Sequence, residues 1–218
     1  QKTAYEILSG LVGSEMCIRD RFEYHVDMAR WMGYGKTWHD GCKINIHISG
    51  KRGPEGLLKE FPRLSQEARN LITIENDEMG HGLESTLEVA KEIALVLDIH
   101  HHWIRAEEYI DPKDDRVKRV IDSWRGVRPT LHYSYSRDEH LAPAGLGEKM
   151  HSEMHDIKML LERGCKKQKL RAHSDLLPNQ KVNDWALSFG EHFDIQTEAK
   201  GKNLAAEQLY RQHLKNSI

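Results

Sequence analysis

An apolar run near the middle of the sequence ends in a carboxylate and three consecutive histidines. Residues 95–97 are apolar, Asp98 follows them, and residues 100–102 are all histidine. Apolar residues bounded by polar ones are typical of a strand in a parallel sheet that is covered on both faces. Asp98 and His101 are three residues apart, so a turn after the strand can present both side chains to a metal site. The alternative is a polar loop with a chance cluster of histidines.

Residues of metal-binding type also stand at the end of every other strand that the apolar pattern predicts. Six strands are predicted, over residues 43–48, 71–76, 95–98, 129–134, 169–175 and 193–198. The ligand-type residues at or just after their ends are His47, Glu75, Asp98, His101, His132, His173 and Glu198. Taken singly, a histidine can be a buried core residue and a carboxylate can interact with a helix dipole. Together they predict a metal site, where ligands converge from several strands.

The ligand types indicate which ions suit the site. Carboxylates mixed with imidazoles, without thiolates, suit Mn2+, Zn2+ or Fe2+. These residues are more than one ion needs, so we predict a cluster of divalent ions with Glu75 as the bridge. Cys17, Cys42 and Cys165 are widely separated and form no CxxC pair, which argues against a thiolate zinc site or a disulfide framework.

Helices are predicted between the strands, and the alternation indicates an α/β fold with a parallel sheet. The predicted helices cover residues 23–32, 54–61, 84–93, 112–124, 149–163, 185–189 and 204–214. Ser85 is the expected cap of the third, and Gly164 is expected to end the fifth in a left-handed conformation. A doubly wound sheet is one alternative, although no Gly-rich phosphate loop follows any strand. We predict a (β/α)8 TIM barrel that lacks about two N-terminal β/α units.

The first 21 residues do not belong to the pattern of alternating strands and helices that the rest of the chain shows. Residues 11–21 match one translated frame of a common transposase-based sequencing adapter, and residues 1–6 match the flow-cell primer that precedes it. We therefore expect residues 1–21 to be a non-native segment. Residues 22–218 are expected to form a partial TIM-barrel domain whose own sequence starts internally at Phe22.

Composition sets limits on the partners and the compartment. The 32 Lys and Arg residues against 34 Asp and Glu give a net charge of -2, so no global basic field indicates a nucleic acid, although a local basic patch is compatible. The 14 histidines are many for 218 residues and favour a metalloprotein. No apolar run approaches the roughly 18 residues that a membrane span needs. We expect an intracellular, cytoplasmic protein without a membrane partner.

The strand-end motifs together resemble those of the UV damage endonuclease family. They are INIHISG around His47, ENDE at 75–78, DIHH at 98–101, HYS at 132–134, HSD at 173–175 and EAKGK at 198–202. The resemblance extends from Phe22 to the end of the chain. It implies a TIM barrel of the xylose-isomerase-like type and a cluster of divalent metals, usually assigned as manganese, with Zn2+ or Mg2+ as alternatives.

The activity that the resemblance implies is that of a hydrolase acting on ester bonds. Such an enzyme nicks double-stranded DNA on the 5′ side of ultraviolet photoproducts and so starts excision repair. The resemblance also places the family's metal ligands on the seven strand-end residues named above. Within that set we expect Glu75, Asp98 and Glu198 to be catalytic, and we expect the protein to act as a monomer.

Assigned to separate ions, the ligands form three expected sets around the Glu75 bridge. His47 serves one ion, Asp98, His173 and Glu198 serve a second, and His101 with His132 serves a third. The chain departs from the family at one position, because many members carry a lysine two residues before the histidine that matches His132. Here that residue is Thr130.

Other functions stay open at this point. An AP endonuclease would differ mainly in the lesion that it recognises. A sugar isomerase or epimerase of the same barrel superfamily would also use Glu, Asp and His with Mn2+, but usually with a catalytic lysine. An inactive fragment is a third alternative, because a barrel that lacks strands leaves sheet edges exposed.

Overall fold

Five parallel strands form one sheet at the centre of the molecule. The computed structural model describes residues 15–48 and 52–216, with side chains from 22 to 48 and from 52 to 214. The strands are β1 (Ile44–His47), β2 (Ile72–Glu75), β3 (Ala94–Asp98), β4 (Thr130–Tyr133) and β5 (Asp194–Thr197). They lie side by side in chain order, and each pair of neighbours is parallel. The predicted α/β class with a parallel sheet is therefore confirmed.

Helices connect the strands and cover the sheet. They are α1 (Glu15–Trp31), α2 (Gly53–Glu60), α3 (Gln66–Leu71), α4 (Leu83–Thr86), α5 (Ile99–Ala106), α6 (Asp115–Ser123), α7 (Asp138–Leu141), α8 (Ile157–Glu162), α9 (Lys167–Leu170), α10 (Gln180–Leu187) and α11 (Asn203–Asn216). The middle strands β2 and β3 are buried at every position, as expected for strands covered on both faces. Within the described ranges, none of the helices combines the length and the apolar character that crossing a bilayer requires.

Helix α1 runs without a break from Glu15 to Trp31. It therefore includes the last part of the segment 1–21 that the sequence marks as non-native, whereas residues 1–14 of that segment lie outside the described residues. On the described part of the helix, Val26 and Ala29 are buried in the core. Among the described side chains of helix α1, Val26 and Ala29 thus attach it to the domain.

The predicted strand over residues 169–175 is wrong. Its first residues belong to helix α9, and His173 makes only an isolated antiparallel bridge with Ser136. The backbone groups nearby are satisfied by the loop after β4, because Arg137 N donates to Ala172 O (3.0 Å) and Ser174 N donates to Tyr135 O (2.8 Å). The segment therefore lies against a loop and does not join the sheet.

Two helix predictions also differ from the structure. The expected helix over 149–163 is split into a 3-10 turn and helix α8, because the side chain of Asp156 caps a new start by accepting from Lys158 N (2.7 Å). Gly164 has φ +99°, which confirms the expected left-handed end. Ser85 is not a cap: it lies inside α4, which has Gly82 at its N-cap.

An aromatic pair and a lysine close the end of the sheet where the strands begin. The rings of Trp38 and Trp124 contact each other edge to face, with centroids 6.1 Å apart. The ammonium group of Lys43 lies 4.0 Å from the centroid of Trp38 and donates to the backbone oxygens of Trp38, Asp40 and Asn70. Burial lowers the pKa of Lys43 to about 8. This end serves stability, and the ligand-type residues lie at the opposite end.

Candidate metal centre

The ligand-type residues converge at the edge of the sheet where the strands end. His47, Glu75 and Asp98 are the last residues of β1, β2 and β3. His132 is the last residue but one of β4, and Glu198 directly follows β5. Because neighbouring parallel strands end at the same edge, the sheet delivers all five side chains to one place.

Four of these residues form a first group of candidate ligands. One ligand atom each from Glu75, Asp98, His132 and Glu198 can be chosen so that all lie within 4.8 Å of one another. His132 Nδ1 is 3.2 Å from Glu75 Oε2 and 3.2 Å from Glu198 Oε1. Three carboxylates around one imidazole nitrogen make this an oxygen-rich site of the kind that divalent cations prefer.

A second group shares Glu75 with the first. It consists of His47, Glu75 and His101, whose ligand atoms also lie within 4.8 Å of one another. Glu75 Oε1 is 3.4 Å from His101 Nδ1, and Glu75 Oε2 is 3.7 Å from His47 Nε2. The carboxylate of Glu75 therefore belongs to both groups, which is the position that a bridging ligand requires.

Unpaired polar atoms test whether these residues fit a cation. Glu75 Oε1, Asp98 Oδ2 and His132 Nδ1 are buried. Each has an imidazole or carboxylate atom within 3.6 Å, but none of them forms a hydrogen bond of acceptable geometry in the described part of the chain. Buried polar atoms are nearly always hydrogen-bonded, and buried carboxylates are costly unless they are paired or bind a metal. The donor set therefore fits a divalent metal ion.

The pKa values follow from burial and from the mutual approach of these groups. Burial raises the pKa of Asp98 to about 7, and the neighbouring charges of Glu75 and Glu198 add to the rise. Burial alone would lower the pKa of His101, but the charges of Asp98, Glu78 and Glu75 outweigh it and raise the pKa to about 9. Burial would raise the pKa of Glu75, yet contact with the neighbouring imidazoles lowers it. The imidazoles therefore stabilise the charge of Glu75, whereas the charge of Asp98 is disfavoured by burial and by the other carboxylates.

The turn after β3 fixes Asp98 relative to His101. Asp98 ends the strand and is at the same time the N-cap of α5, because its Oδ1 accepts from His101 N (2.7 Å). The side chain of Asn76 forms two hydrogen bonds with the backbone of Asp98, accepting from N and donating to O, each 2.8 Å long. His101 Nδ1 lies 3.0 Å from Asn76 O. Strand end, cap and helix start therefore position both side chains without an intervening loop.

His173 lies beside the two groups and belongs to neither of them within the described residues. Its Nδ1 is 2.8 Å from the backbone oxygen of Glu198, and its ring centroid is 6.3 Å from that of His101. The expected sharing of one ion by His101 and His132 also differs from the geometry, since the two histidines fall in different groups. The residues thus arrange themselves as two groups that share Glu75.

Two residues near the ligands were missed by the sequence analysis. The amide of Asn45 donates to Glu75 Oε2 and accepts from Thr73 Oγ1 (3.1 Å). Its signal was the strand period of two, which puts Asn45 on the same face as His47. Glu78 is buried with its Oε2 3.4 Å from His101 Nε2, and its signal was its place in the motif that begins with Glu75.

Comparison with protein families gives one match that covers nearly the whole chain. The model of a family described as UV-endonuclease UvdE matches residues 13–217. Among solved structures, the crystal structure of SacUVDE superposes with a TM-score of 0.63 at 20% identity, covering 94% of this chain and 62% of that chain. A likeness at this identity concerns the fold.

Three curated proteins are also similar in sequence. The UV-damage endonuclease of Neurospora crassa is 30% identical over 145 residues, which are 59% of this chain and 22% of that protein. The putative UV-damage endonuclease of Acanthamoeba polyphaga mimivirus is 25% identical over 189 residues, or 82% of this chain and 54% of that protein. The UV-damage endonuclease of Schizosaccharomyces pombe is 26% identical over 151 residues, 64% and 25% of the two chains. The chain spans about half or less of the length of these relatives.

Proposed function

The chain belongs to the UV-endonuclease UvdE family, and from this premise we propose that it is a metal-dependent endonuclease of DNA repair. It hydrolyses the phosphodiester bond on the 5′ side of ultraviolet photoproducts in duplex DNA, so that excision repair begins at the nick. The observation that carries this proposal is the shared carboxylate of Glu75, which belongs to both groups of candidate ligands. A bridged pair of divalent ions is the arrangement that phosphodiester hydrolysis uses in many nucleases.

The proposed cofactor is a cluster of divalent ions, Mn2+ in the first place and Zn2+ or Mg2+ as alternatives. Glu75, Asp98, His132 and Glu198 would hold one ion, and Glu75 with His47 and His101 would hold a second. We keep His173 in the ligand set. Its Nδ1 lies at the backbone oxygen of Glu198, so that protonation there leaves Nε2 as the nitrogen that can bind a cation.

The chemistry of such a cluster divides between the ions and the protein. When bound, divalent ions lower the pKa of water, neutralise charge on the phosphate and stabilise the leaving oxygen. Glu75 would hold both ions, and Asn45 orients its carboxylate by a hydrogen bond. Asp98 and Glu198 lie in one group with His132 and would supply negative charge to the ion held there. These three carboxylates, Glu75, Asp98 and Glu198, are the proposed catalytic set.

Residues 22–218 are the proposed nuclease domain, part of a (β/α)8 barrel. Support comes from the consecutive order of five parallel strands, which is the strand order of a barrel. A complete barrel has eight strands, and the described residues contribute five of them; the proposed barrel lacks about two N-terminal β/α units. Damaged duplex DNA is the proposed partner, and the protein is proposed to act as a monomer in the cytoplasm.

A nicking assay tests the proposal and separates it from its alternatives. The purified chain is incubated with UV-irradiated, abasic and undamaged duplexes, each with Mn2+ and with a chelator. We expect cleavage on the 5′ side of the photoproduct, in the irradiated duplex only and only with Mn2+. Cleavage of the abasic duplex alone would favour an AP endonuclease. Equal cleavage of undamaged DNA, or no cleavage of any duplex, would overturn the repair assignment.

A further inference from the structure

Glu78 is a buried carboxylate that no step of the proposed reaction uses. Its side chain is 1% exposed, and neither of its oxygens accepts a hydrogen bond of acceptable geometry from the described residues, although both have ion-pair neighbours. Two groups with positive character face it: Arg171 Nε contacts Oε1, and His101 Nε2 lies 3.4 Å from Oε2. Because a buried carboxylate needs a compensating charge, Glu78 depends on these two neighbours. It links Arg171 to the candidate metal centre.

Arg171 is anchored at one edge and open at the other. Its side chain is 52% exposed, in contrast to that of Glu78. The contact with Glu78 uses Nε, and no hydrogen bond or ion pair of the two Nη atoms is found in the described part of the chain. The guanidinium group has a planar fork of donors, so one edge can remain on a carboxylate while another binds a phosphate. Arg171 therefore presents fixed donors to solvent beside the metal centre.

The backbone around Arg171 is held in place by the loop after β4. Arg137 N donates to Ala172 O (3.0 Å), and Ser174 N donates to Tyr135 O (2.8 Å). These bonds fix the residues that come directly after Arg171, while helix α9 directly precedes it. The neighbouring backbone and the Nε edge of the Arg171 guanidinium group are thus both held in place. An ordinary surface arginine has no such restraint.

Arg171 also lies in a strongly basic segment. Residues 163–174 contain no Asp or Glu, and their cations are Arg163, Lys166, Lys167, Lys169 and Arg171. Lys167 is paired with Glu107 at 3.0 Å, whereas Lys166 and Lys169 are exposed. A cluster of one sign of charge raises the local potential for a polyanion even when the net charge of the protein is negative.

We propose that Arg171 binds a backbone phosphate of the DNA beside the candidate metal centre, with Glu78 as the residue that positions its guanidinium group. The inference rests on the proposed function, because it gives a nuclease the contact that aligns the duplex with its metal ions. The same contact explains why a carboxylate as deeply buried as Glu78 is placed between an arginine and a ligand histidine.

Equilibrium binding of a fluorescent UV-irradiated duplex tests this role, measured over a range of salt concentrations in chelator so that no hydrolysis occurs. Each phosphate contact contributes about 0.9 to the slope of log affinity against log salt. Arg171→Met should reduce the slope by about this amount and weaken binding several-fold. Arg171→Lys should keep the slope, because the charge remains. It should weaken binding, because lysine lacks the planar pair of donors of the guanidinium group. Glu78→Gln should likewise keep the slope and lose affinity.

Lys91→Met is the matched control, since Lys91 is an exposed cation just before β3, at the opposite end of the sheet. An unchanged slope in Arg171→Met relative to Lys91→Met would overturn the inference, as would failure of the unsubstituted chain to bind the duplex. The nicking assay distinguishes the two proposals. If the chain cleaves no irradiated DNA but its salt slope depends on Arg171, the proposed function fails and the phosphate contact stands.

Discussion

Glu75 Oε2 lies 3.2 Å from His132 Nδ1, although strand β3 separates the strands that carry these two residues. In a flat sheet, strands two places apart are separated by about 9–10 Å. The side chains meet because both point to the same face of the sheet and reach towards each other across β3. In barrels, residues from alternate strands fill one layer in this manner. The strand order and register that place Glu75 and His132 on one face of the sheet therefore also bring the candidate ligands together.

Glu75→Gln should abolish Mn2+-dependent nicking of irradiated DNA. Glutamine keeps the size of the side chain but removes the charge that both ligand groups share, so we expect a loss of at least about 100-fold. Initial rates on a labelled irradiated duplex measure it, with Glu88→Gln as a control on an exposed carboxylate far from the site. Activity near that of the unsubstituted chain would mean that Glu75 is not the bridge.

Adding Mn2+ should raise the thermal midpoint of unfolding, and a chelator should reverse the rise. A ligand that binds only the folded state at 100 times its dissociation constant stabilises by about 2.7 kcal/mol. Asp98→Asn should diminish the Mn2+-induced shift, since Asp98 belongs to the first group of candidate ligands. The midpoint of the metal-free protein should change little, because an asparagine oxygen can also accept the N-cap hydrogen bond from His101 N. Asp122→Asn, on the surface of helix α6, should leave the shift intact. Equal shifts in both variants would contradict the ligand role.

Lys43 should make stability increase with pH in the alkaline range. Burial lowers its pKa from 10.5 to about 8 in the folded protein, so between these values the unfolded chain binds a proton that the folded chain does not. The free energy of unfolding should therefore rise from pH 8 to pH 10.5, relative to Lys43→Met. Urea unfolding of both proteins at several pH values measures the difference. A difference that stays constant across this range would contradict the prediction.

Tyr133→Phe should destabilise the fold without altering the metal centre. The Tyr133 hydroxyl is fully buried and donates to Asn183 Oδ1 (2.6 Å), so the substitution leaves a buried acceptor unpaired. We expect a loss of about 1–3 kcal/mol in the free energy of unfolding. Tyr210→Phe, where the ring is exposed, should change it by less than about 0.5 kcal/mol. Similar losses in the two variants would show that the hydrogen bond is not the cause.

A protein that begins at Phe22 should be as stable as the full chain, to within about 0.5 kcal/mol. The described contacts that attach α1 come from later residues: Val26 and Ala29 are buried, and Glu23 accepts from Ser65 N (2.8 Å). Chemical denaturation of both proteins tests this. A marked loss of stability in the shorter protein would mean that residues 1–21 take part in the fold.

The strand ends were predictable because two local signals coincide there. Apolar runs identified β2, β3 and β4. Each run stops at a polar residue that is a candidate metal ligand, such as Glu75 or Asp98. Residues 169–175 broke the rule because Leu170 and Ala172 imitate the alternation of a strand. Leu170 is in fact the last residue of helix α9 and is buried in the core. The backbone oxygen of Ala172 accepts a hydrogen bond from Arg137 N, in a loop that is distant in sequence. Hydrogen bonds to backbone groups that are distant in sequence leave no signal in the local sequence pattern.

The candidate site divides in a similar way. Residue type and strand position were enough to select Glu75, Asp98 and His132 before their distances were known. The grouping of ligands into two sets was not predictable, because it depends on side-chain distances between strands that are far apart in sequence. Glu78 was missed for a related reason: it comes after the strand, and only the fold brings it against Arg171.

The two hydrogen bonds from the side chain of Asn76 to the backbone of Asp98 have a consequence for ion selectivity. They connect the ends of β2 and β3. The side-chain amide of Asn76 therefore sets the spacing of Glu75 and Asp98 without the help of a bound cation. If the proposed ions bind here, ligands that are already held in place would lose little conformational entropy on binding and would contract less around a smaller ion. The choice among divalent cations would then depend on ionic radius, and Asn76 would be the residue that sets the spacing of Glu75 and Asp98.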